Sequence, residues 1–439
     1  MRHTNNYAAH LAHYRRVRRL IPNQSQTLSK SPQQFRKGRM PLFSLRAKGA
    51  YIWDITGNKF LDYMGALGPI ILGYADPITN RAVRKQLKDG IIFSQPHPLE
   101  YEVAKLIVEL VPGADMVRFA KNGSDATSGA VRIARAYTGR DIILFCGYHG
   151  AQDWYIVSTE RNAGVPKLLS RLVHRFEYNN LASLEELFKR FPGKVAAVIM
   201  EPAYAEAPRD NFLAKVKRLA HDNGSLLIFD EVITGFRFSA GGAQEYFGVT
   251  PDLSCFGKSI ANGMPLSAIA GTRRVMEKTA DVFISYTYGG ECLSLAAAKA
   301  VLTALKRNPR ILAHIWKAGE LLQQGIRECI VRHGLEQYVA CAGFPPRSVM
   351  QFTTGEGESW PQLRTLFQQY IIDRGILFST YWNLTYAHTT KHIMHTLRAV
   401  DDAMRRVGED IAKEVVNKKA GPRIAAIFAM HAGAKTGKK

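Results

Sequence analysis

A series of short apolar segments, alternating with stretches of helical character, constrains the fold more than any other feature of the sequence. The alternation extends from about residue 80 to residue 320 and is typical of an α/β fold with a mostly parallel central sheet. The predicted strands are residues 116–119, 142–145, 195–200, 226–229 and 253–256. The helices predicted between them include residues 126–137, 184–191 and 212–222.

The stretch 225–265 places polar residues directly after two of these strands. One strand ends on Asp230 and Glu231, and the next ends on Gly257 and Lys258. Ligands of open α/β sheets bind beyond the carboxyl ends of the strands, so an acid and an amine are expected in one pocket. Alone, such an Asp is more often a turn residue, and such a Lys is more often a solvated loop residue. Together they suit pyridoxal phosphate (PLP), which needs an amine for its aldehyde and a carboxylate for its pyridine nitrogen.

Three further strands deliver groups of the same kind to this edge of the sheet. Gly123 and Ser124 open a predicted helix, whose N-terminus suits a phosphate, although Ser124 can equally serve as a helix cap. Tyr148 follows the second strand and offers a ring for stacking on a flat cofactor, and Glu201 follows the third. Zinc-ligand spacings are absent from the sequence, and no metal site is predicted.

Several longer motifs around these residues match a known family. In chain order they are YIWDITGNKFLDY, GPIILGYADP, RIARAYTGRD, GYHG, FDEVITGFRF and CFGKSIANGMP. With these motifs the chain resembles the class III aminotransferases of the PLP fold type I group over roughly residues 27–405. The resemblance is closest to the branch that contains glutamate 1-semialdehyde aminomutase. It implies a large PLP-binding domain with a mostly parallel central sheet, a smaller α+β C-terminal domain and an N-terminal arm.

The resemblance also implies roles for individual residues. Lys258 and Asp230 would be the catalytic residues, with Lys258 bonded to the cofactor aldehyde and Asp230 paired with the pyridine nitrogen. Val232 and Tyr148 would pack on the two faces of the ring. Thr287 would reach the phosphate from a neighbouring subunit, which implies a homodimer with shared active sites. The implied cofactor-binding residues are Gly123, Ser124, Tyr148, Glu201, Asp230, Val232, Lys258 and Thr287.

The chain departs from the aminomutase pattern where the substrate is expected. After Ser31-Pro32, Gln34 stands where the aminomutase has an Arg that binds the substrate carboxylate, and Arg36, two residues later, is the alternative candidate for that role. Residues 378–388 contain no acid to replace the gating Glu of the aminomutase. These departures predict ordinary transamination, in which Gln34, Trp382 and Asn383 line the site of a neutral carbonyl compound such as a keto or aldehydo sugar. A separate departure is Glu291, after the double glycine of the motif around Thr287.

The predicted function is therefore that of an aminotransferase that moves an amino group from a donor such as glutamate to a carbonyl acceptor. The alternative within the enzymes is glutamate 1-semialdehyde 2,1-aminomutase. The alternative outside the enzymes is binding of nucleic acid or an acidic surface. The binding alternative rests on the positive charge of the two ends of the sequence. Most of the net charge of +22 comes from residues 1–53 and 415–439, which contain no Asp or Glu. No motif that reads RNA or DNA supports it, and solvated ends explain the charge more simply.

Composition and segment character give the expected organisation and location. We expect an N-terminal arm and hairpin in residues 1–75, a large PLP-binding domain in residues 76–320, a small domain in residues 321–407 and a basic tail in residues 408–439. The five cysteines are scattered and form no CxxC pair, which favours a reducing compartment. Together with the absence of a membrane-length apolar run and of a secretory signal pattern, this predicts a cytoplasmic protein.

Overall fold

The computed structural model describes residues 7–34 and 41–421, which form two compact units. The central unit comprises residues 77–312, and the terminal unit comprises residues 7–34, 41–76 and 313–421. The helices are α1 (Tyr7–Leu20), α2 (Pro77–Asp89), α3 (Pro98–Leu110), α4 (Gly123–Thr138), α5 (Asp153–Ile156), α6 (Leu181–Arg190), α7 (Phe212–Asp222), α8 (Ala243–Phe247), α9 (Arg273–Met276), α10 (Cys292–Arg307), α11 (Arg310–Arg332), α12 (Pro361–Ile372), α13 (Thr390–Ala412) and α14 (Val416–Ala420). The strands are β1 (Ser44–Lys48), β2 (Tyr51–Asp54), β3 (Lys59–Asp62), β4 (Met116–Ala120), β5 (Ile142–Cys146), β6 (Val173–Arg175), β7 (Val195–Met200), β8 (Leu226–Asp230), β9 (Leu253–Phe256), β10 (Ser267–Gly271), β11 (Val339–Phe344), β12 (Arg347–Phe352), β13 (Ile376–Leu377) and β14 (Tyr381–Asn383).

The central unit is built on a seven-stranded sheet in the order β4-β10-β9-β8-β7-β5-β6. The pairs β5–β6, β5–β7, β7–β8 and β8–β9 are parallel, whereas β10 is antiparallel to both β4 and β9. Every residue of β8 is buried, as expected for a central strand covered on both faces. The predicted α/β fold with a mostly parallel sheet is thus confirmed.

The alternation of side chains along each strand divides the core of this unit into two layers. In β5, Ile143 and Phe145 belong to an apolar cluster with α4, whereas Ile142 and Leu144 belong to a second cluster with α6 and α7. This period of two is the geometry of a pleated strand. The sheet is therefore held between helices on both faces, and its ends are the places available for polar groups.

The terminal unit contains two smaller sheets, in the orders β1-β2-β3-β13 and β11-β12-β14. The predicted hairpin is present as β2 and β3, with Trp53 opposite Lys59. The predicted N-terminal arm begins with the helix α1. Its Tyr14 packs in the apolar cluster of the hairpin, and its His10 lies 3.2 Å (Nε2 to Oδ2) from the carboxylate of Asp54.

Some elements differ from the sequence prediction. The antiparallel strand β10 and the short strand β6 were not predicted. Residues 408–421, predicted to belong to a basic tail, instead continue α13 to Ala412 and form α14, whose Val416 is buried. Residues 422–439 of that predicted tail lie outside the described residues. Among the described residues, no helix has both the length and the apolar character needed to cross a membrane.

Candidate active site

Six strands of the central sheet, β4 to β9, end at the same edge, and all except β6 lead into polar groups singled out in the sequence. Because β10 is antiparallel to both of its neighbours, β4 runs in the same direction as β5, β7, β8 and β9. The carboxyl ends of these five strands lead into the polar groups singled out in the sequence. In chain order they are the Gly123-Ser124 turn, Tyr148, Glu201, Asp230 and Lys258.

Asp230 is the last residue of β8 and is nearly buried, with 5% of its surface exposed. Its Oδ2 lies 2.9 Å from Nδ1 of His149, and its Oδ1 accepts a hydrogen bond from the Val232 amide at 3.1 Å. Nε2 of His149 lies 3.1 Å from the Cys146 carbonyl oxygen, which can only accept, so this nitrogen carries a hydrogen. Nδ1 of His149 therefore faces the Asp230 carboxylate, and the two side chains make a buried polar contact.

His149 was not singled out in the sequence. It follows Tyr148 in the GYHG motif, three residues after the end of β5, and is almost completely buried. The signal that identifies it is topological: a polar residue just beyond a strand that shares the sheet edge with Asp230. Its ring packs against Phe145, Tyr155 and Trp154, which leaves it one orientation.

The first turn of α4 is the predicted phosphate turn. Asn122 and Asp125 form a reciprocal capping box there, so the helix begins at Gly123, three residues earlier than predicted. A Cβ atom on Gly123 would lie 2.8 Å from Cγ1 of Val232, so only glycine allows this approach. The hydroxyl of Ser124 accepts a hydrogen bond from the Ala151 amide at 3.0 Å, which ties the turn to the GYHG loop.

A second hydrogen bond joins α4 to the same loop. The hydroxyl of Thr127 donates to the carbonyl oxygen of His149 at 2.7 Å, and both residues are buried. The phosphate turn and the loop that carries Tyr148 and His149 are therefore fixed to one another. Helix α4 thus sets the position of the imidazole that contacts Asp230.

Tyr148 and Glu201 lie together at the ends of β5 and β7. The amide of Tyr148 donates to Oε1 of Glu201 at 3.0 Å. Burial raises the pKa of the Tyr148 phenol, and the neighbouring carboxylates of Asp230 and Glu201 raise it further. The phenol is therefore neutral at physiological pH, and its ring is partly exposed, which gives a ligand a surface on which to stack.

Lys258 begins the short turn Lys258–Ala261 directly after β9 and Gly257. Its φ of +42° lies in the left-handed region, which is unfavourable for a residue with a side chain and is concentrated at functional sites. A Cβ atom on Gly257 would lie 3.4 Å from Cγ1 of Val232. Val232 thus adjoins both the phosphate turn and the segment before the lysine.

The other predicted site residues lie elsewhere. Thr287 is exposed on the central unit. Gln34 ends the turn Pro32–Gln34 of the terminal unit and is partly buried. Trp382 has no exposed surface and stacks on Phe378 with 4.2 Å between ring centroids. Asn383 is buried as well, and its Nδ2 donates to the Met64 carbonyl oxygen.

Trp382 and Asn383 are both buried within the terminal unit, whereas a residue that lines a substrate site needs surface that the substrate can reach. Their predicted substrate role stays a prediction. Their polar and aromatic character was visible in the sequence, but their burial was not. The described residues contain no group of three His, Cys, Asp or Glu side chains placed to hold a metal ion.

Comparison with known proteins decides the family. Residues 33–339 match the Aminotransferase class-III family. The chain belongs to the class III aminotransferases. This confirms the predicted family, enzyme class and fold, and with them PLP, the cofactor of the class.

This class III aminotransferase has curated relatives of similar length. Two of them are glutamate-1-semialdehyde 2,1-aminomutases, from Desulforudis audaxviator (strain MP104C) and Alkaliphilus oremlandii (strain OhILAs), and each is 38% identical to it. Both alignments cover 84% of the chain, with 91% and 92% of the respective relative. Among solved structures, the PLP internal aldimine form of the Sphingopyxis sp. MTA144 FumI protein is 30% identical. It has a TM-score of 0.85 and covers 92% of this chain and 98% of its own.

Proposed function

We propose that this class III aminotransferase transfers an amino group from an amino-acid donor such as glutamate to a carbonyl acceptor. The observation that carries the proposal is the buried Asp230–His149 pair, located one strand away from Lys258 at a shared sheet edge. A carboxylate held in this way is the partner that a protonated pyridine nitrogen needs.

The residues at the sheet edge fit PLP. Gly123 and Ser124 lie in the first turn of α4, where amide groups have no acceptor within the helix and the helix dipole favours an anion. These amides would hold the phosphate. Val232 and Tyr148 would contact the two faces of the ring, and Asp230 would pair with the ring nitrogen. Glu201 would position Tyr148, because its carboxylate accepts a hydrogen bond from the Tyr148 amide.

When bound, PLP supplies an aldehyde that takes up and releases an amino group and a ring that withdraws electrons from the reacting carbon. Lys258 would hold that aldehyde and, once displaced by a donor amine, would carry a proton to and from the substrate carbon. Only the neutral amine can do either, and Lys258 lies at the end of β9, next to the strand that ends on Asp230. Asp230, held in place by His149, would pair with the ring nitrogen and maintain its charge.

The proposal is tested by screening carbonyl compounds, keto and aldehydo sugars among them, with glutamate as donor and measuring the release of 2-oxoglutarate. The Lys258→Ala variant is the control. We expect acceptor-dependent release by the wild-type protein and none by the variant. Release from neither protein with any acceptor class would count against transamination.

A specific observation supports the second candidate, glutamate 1-semialdehyde 2,1-aminomutase. Relatives of that name are 38% identical over most of both chains. Against it stand Gln34 in place of the carboxylate-binding Arg and the lack of an acid in residues 378–388. The two candidates separate in one assay, because conversion of glutamate 1-semialdehyde to 5-aminolevulinate without an added acceptor would favour the aminomutase.

We propose further that the protein is a homodimer with shared active sites. Ile91, Ile92, Phe93 and Tyr288 expose apolar surface on the central unit. The Cys292 amide donates to the Ile91 carbonyl oxygen, which brings the first of these residues close to the loop of Tyr288. Thr287, in the same loop, is exposed and would reach the cofactor phosphate of the neighbouring subunit. Exposed apolar surface of this kind is typical of an interface.

A further inference from the structure

The segment 286–291, which carries Thr287, contacts the phosphate turn of its own chain at both of its ends. At the first end, the hydroxyl of Tyr286 donates to the Asp125 carbonyl oxygen at 3.3 Å. At the other end, Nζ of Lys121 lies 2.9 Å from Oε2 of Glu291. The exposed Thr287 lies between these two contacts.

The Lys121–Glu291 pair is embedded in a small hydrogen-bond network. Nζ of Lys121 also donates to Oγ of Ser294 at 3.3 Å, and Ser294 Oγ donates to Glu291 Oε2 at 2.6 Å. Burial works to raise the pKa of Glu291, but hydrogen bonds from Ser294, Lys121 and the Leu293 amide outweigh it and leave this pKa below its ordinary value. With side chains only 21% and 12% exposed, the pair is less screened than a surface ion pair.

Close backbone packing gives the segment a single position. A Cβ atom on Gly289 would lie 3.1 Å from the Phe119 carbonyl oxygen, and a Cβ atom on Gly290 would lie 2.6 Å from Oε1 of Glu100. Phe119 belongs to β4, which leads directly into Lys121. Gly289 therefore lets the segment approach β4, Gly290 lets it approach Glu100 of α3, and Glu291 follows them with a side chain that reaches back to the phosphate turn.

We propose that Lys121 and Glu291 are positioning residues for the cofactor phosphate. The pair holds segment 286–291 against residues 121–125, so that the turn binding one phosphate and the Thr287 loop serving the neighbouring site form one rigid piece. This inference rests on the proposed function and extends it, because it assigns the two residues a role through the segments that they join. It also gives a role to Glu291, one of the departures from the aminomutase pattern.

The test compares PLP with pyridoxal, which lacks the phosphate, in titrations of the full-length apoprotein. For Lys121→Met we expect the Kd of PLP to rise roughly tenfold and the Kd of pyridoxal to change by less than about twofold. Lys121→Arg should restore PLP binding. Adding Glu291→Gln to Lys121→Met should cause no further loss, because the interaction is already absent. If Lys121→Met fails to fold, Glu291→Gln by itself tests the inference. The Gln side-chain oxygen can still cap α10, while the ion pair with Lys121 is lost.

The matched control is Lys306→Met, which removes the exposed Lys306–Glu109 ion pair of 2.8 Å in the same unit. It should leave both dissociation constants unchanged. Equal weakening of PLP and pyridoxal by Lys121→Met, or no weakening of either, would overturn the inference while the proposed function stands. Failure of the wild-type protein to bind PLP at all would instead count against the proposed function.

Discussion

Asp230 and His149 form a buried polar contact at the end of β8. Replacing His149 by Phe would leave the Asp230 carboxylate buried without its partner, since the remaining hydrogen bond comes from the Val232 amide. We expect a loss of about 3–5 kcal/mol in the free energy of unfolding of the apoprotein. Urea unfolding measures this loss, and a PLP titration should show weaker binding.

His174→Phe is the control for this substitution. His174 lies on β6, stacks on Phe191 and pairs with the Arg171 carbonyl oxygen rather than with a carboxylate. Its replacement should cost less than about 1 kcal/mol. If the two variants unfold alike, Asp230 does not depend on His149.

Among individual residues, Asp230 and Lys258 were recognised in the sequence because an acid and an amine follow two predicted strands. The residues that hold them in place were not recognised. His149 was missed because a histidine in a loop becomes significant only when the strand order places it beside Asp230. The burial of Trp382 and Asn383 was not visible in the sequence, because polarity in a segment does not indicate which way its side chains face. Burial is a property of the folded unit.

The hairpin of β2 and β3 shows how one side chain fixes an element. Oδ1 of Asp54 accepts hydrogen bonds from the Thr56 amide, the Thr56 hydroxyl and the Asn58 amide, each within 2.9 Å. Burial works to raise the pKa of Asp54, but the hydrogen bonds from Asn58 and Thr56 prevail and lower this pKa. The ionised form is therefore the one that stabilises the turn.

Asp54→Asn is expected to lower the free energy of unfolding by roughly 1.5–3 kcal/mol at neutral pH. Because the folded-state pKa of Asp54 lies below its ordinary value of 3.8, the stabilisation is complete above pH 3.8 and is lost as the pH falls through the folded-state value. The difference between wild type and variant should therefore shrink in acid. Urea unfolding across that range measures it, with Asp281→Asn in an exposed ion pair as the control. A difference that does not change with pH would contradict the assignment.

Among the elements, buried parallel strands were the most predictable. β7 and β9 have the predicted bounds, because a strand covered on both faces is an apolar run with polar residues at its ends. β10, with the sequence SAIAG, was missed because its small residues give no strand signal of their own. Helix α4 begins earlier than predicted because its capping box, not its apolar pattern, decides where it begins.

For the whole molecule, shared active sites predict complementation between two defective variants. In a hybrid of Lys258→Ala and Thr287→Ala subunits, one site combines an intact Lys258 with an intact Thr287. We expect the hybrid to have more activity at limiting PLP than either parent variant. A mixture that never exceeds the average of the parents would contradict shared sites.

The basic N-terminal region forms part of the terminal unit. Helix α1 contributes His10 and Tyr14 to the core of the terminal unit and leaves Arg15, Arg16, Arg18 and Arg19 exposed. The helix thus has a structural role that does not require nucleic acid. The charge of the sequence was evident from the start, whereas the anchoring of α1 emerged only from the fold.

We propose that Lys258 holds the cofactor aldehyde at the sheet edge formed by β8 and β9. Incubation with PLP, reduction with borohydride and peptide mapping by mass spectrometry test it directly. We expect one phosphopyridoxyl group per chain, on the peptide that contains Lys258, and no phosphopyridoxyl group in the Lys258→Ala variant. Stable labelling of a different lysine, or no labelling of the wild-type protein, would contradict it.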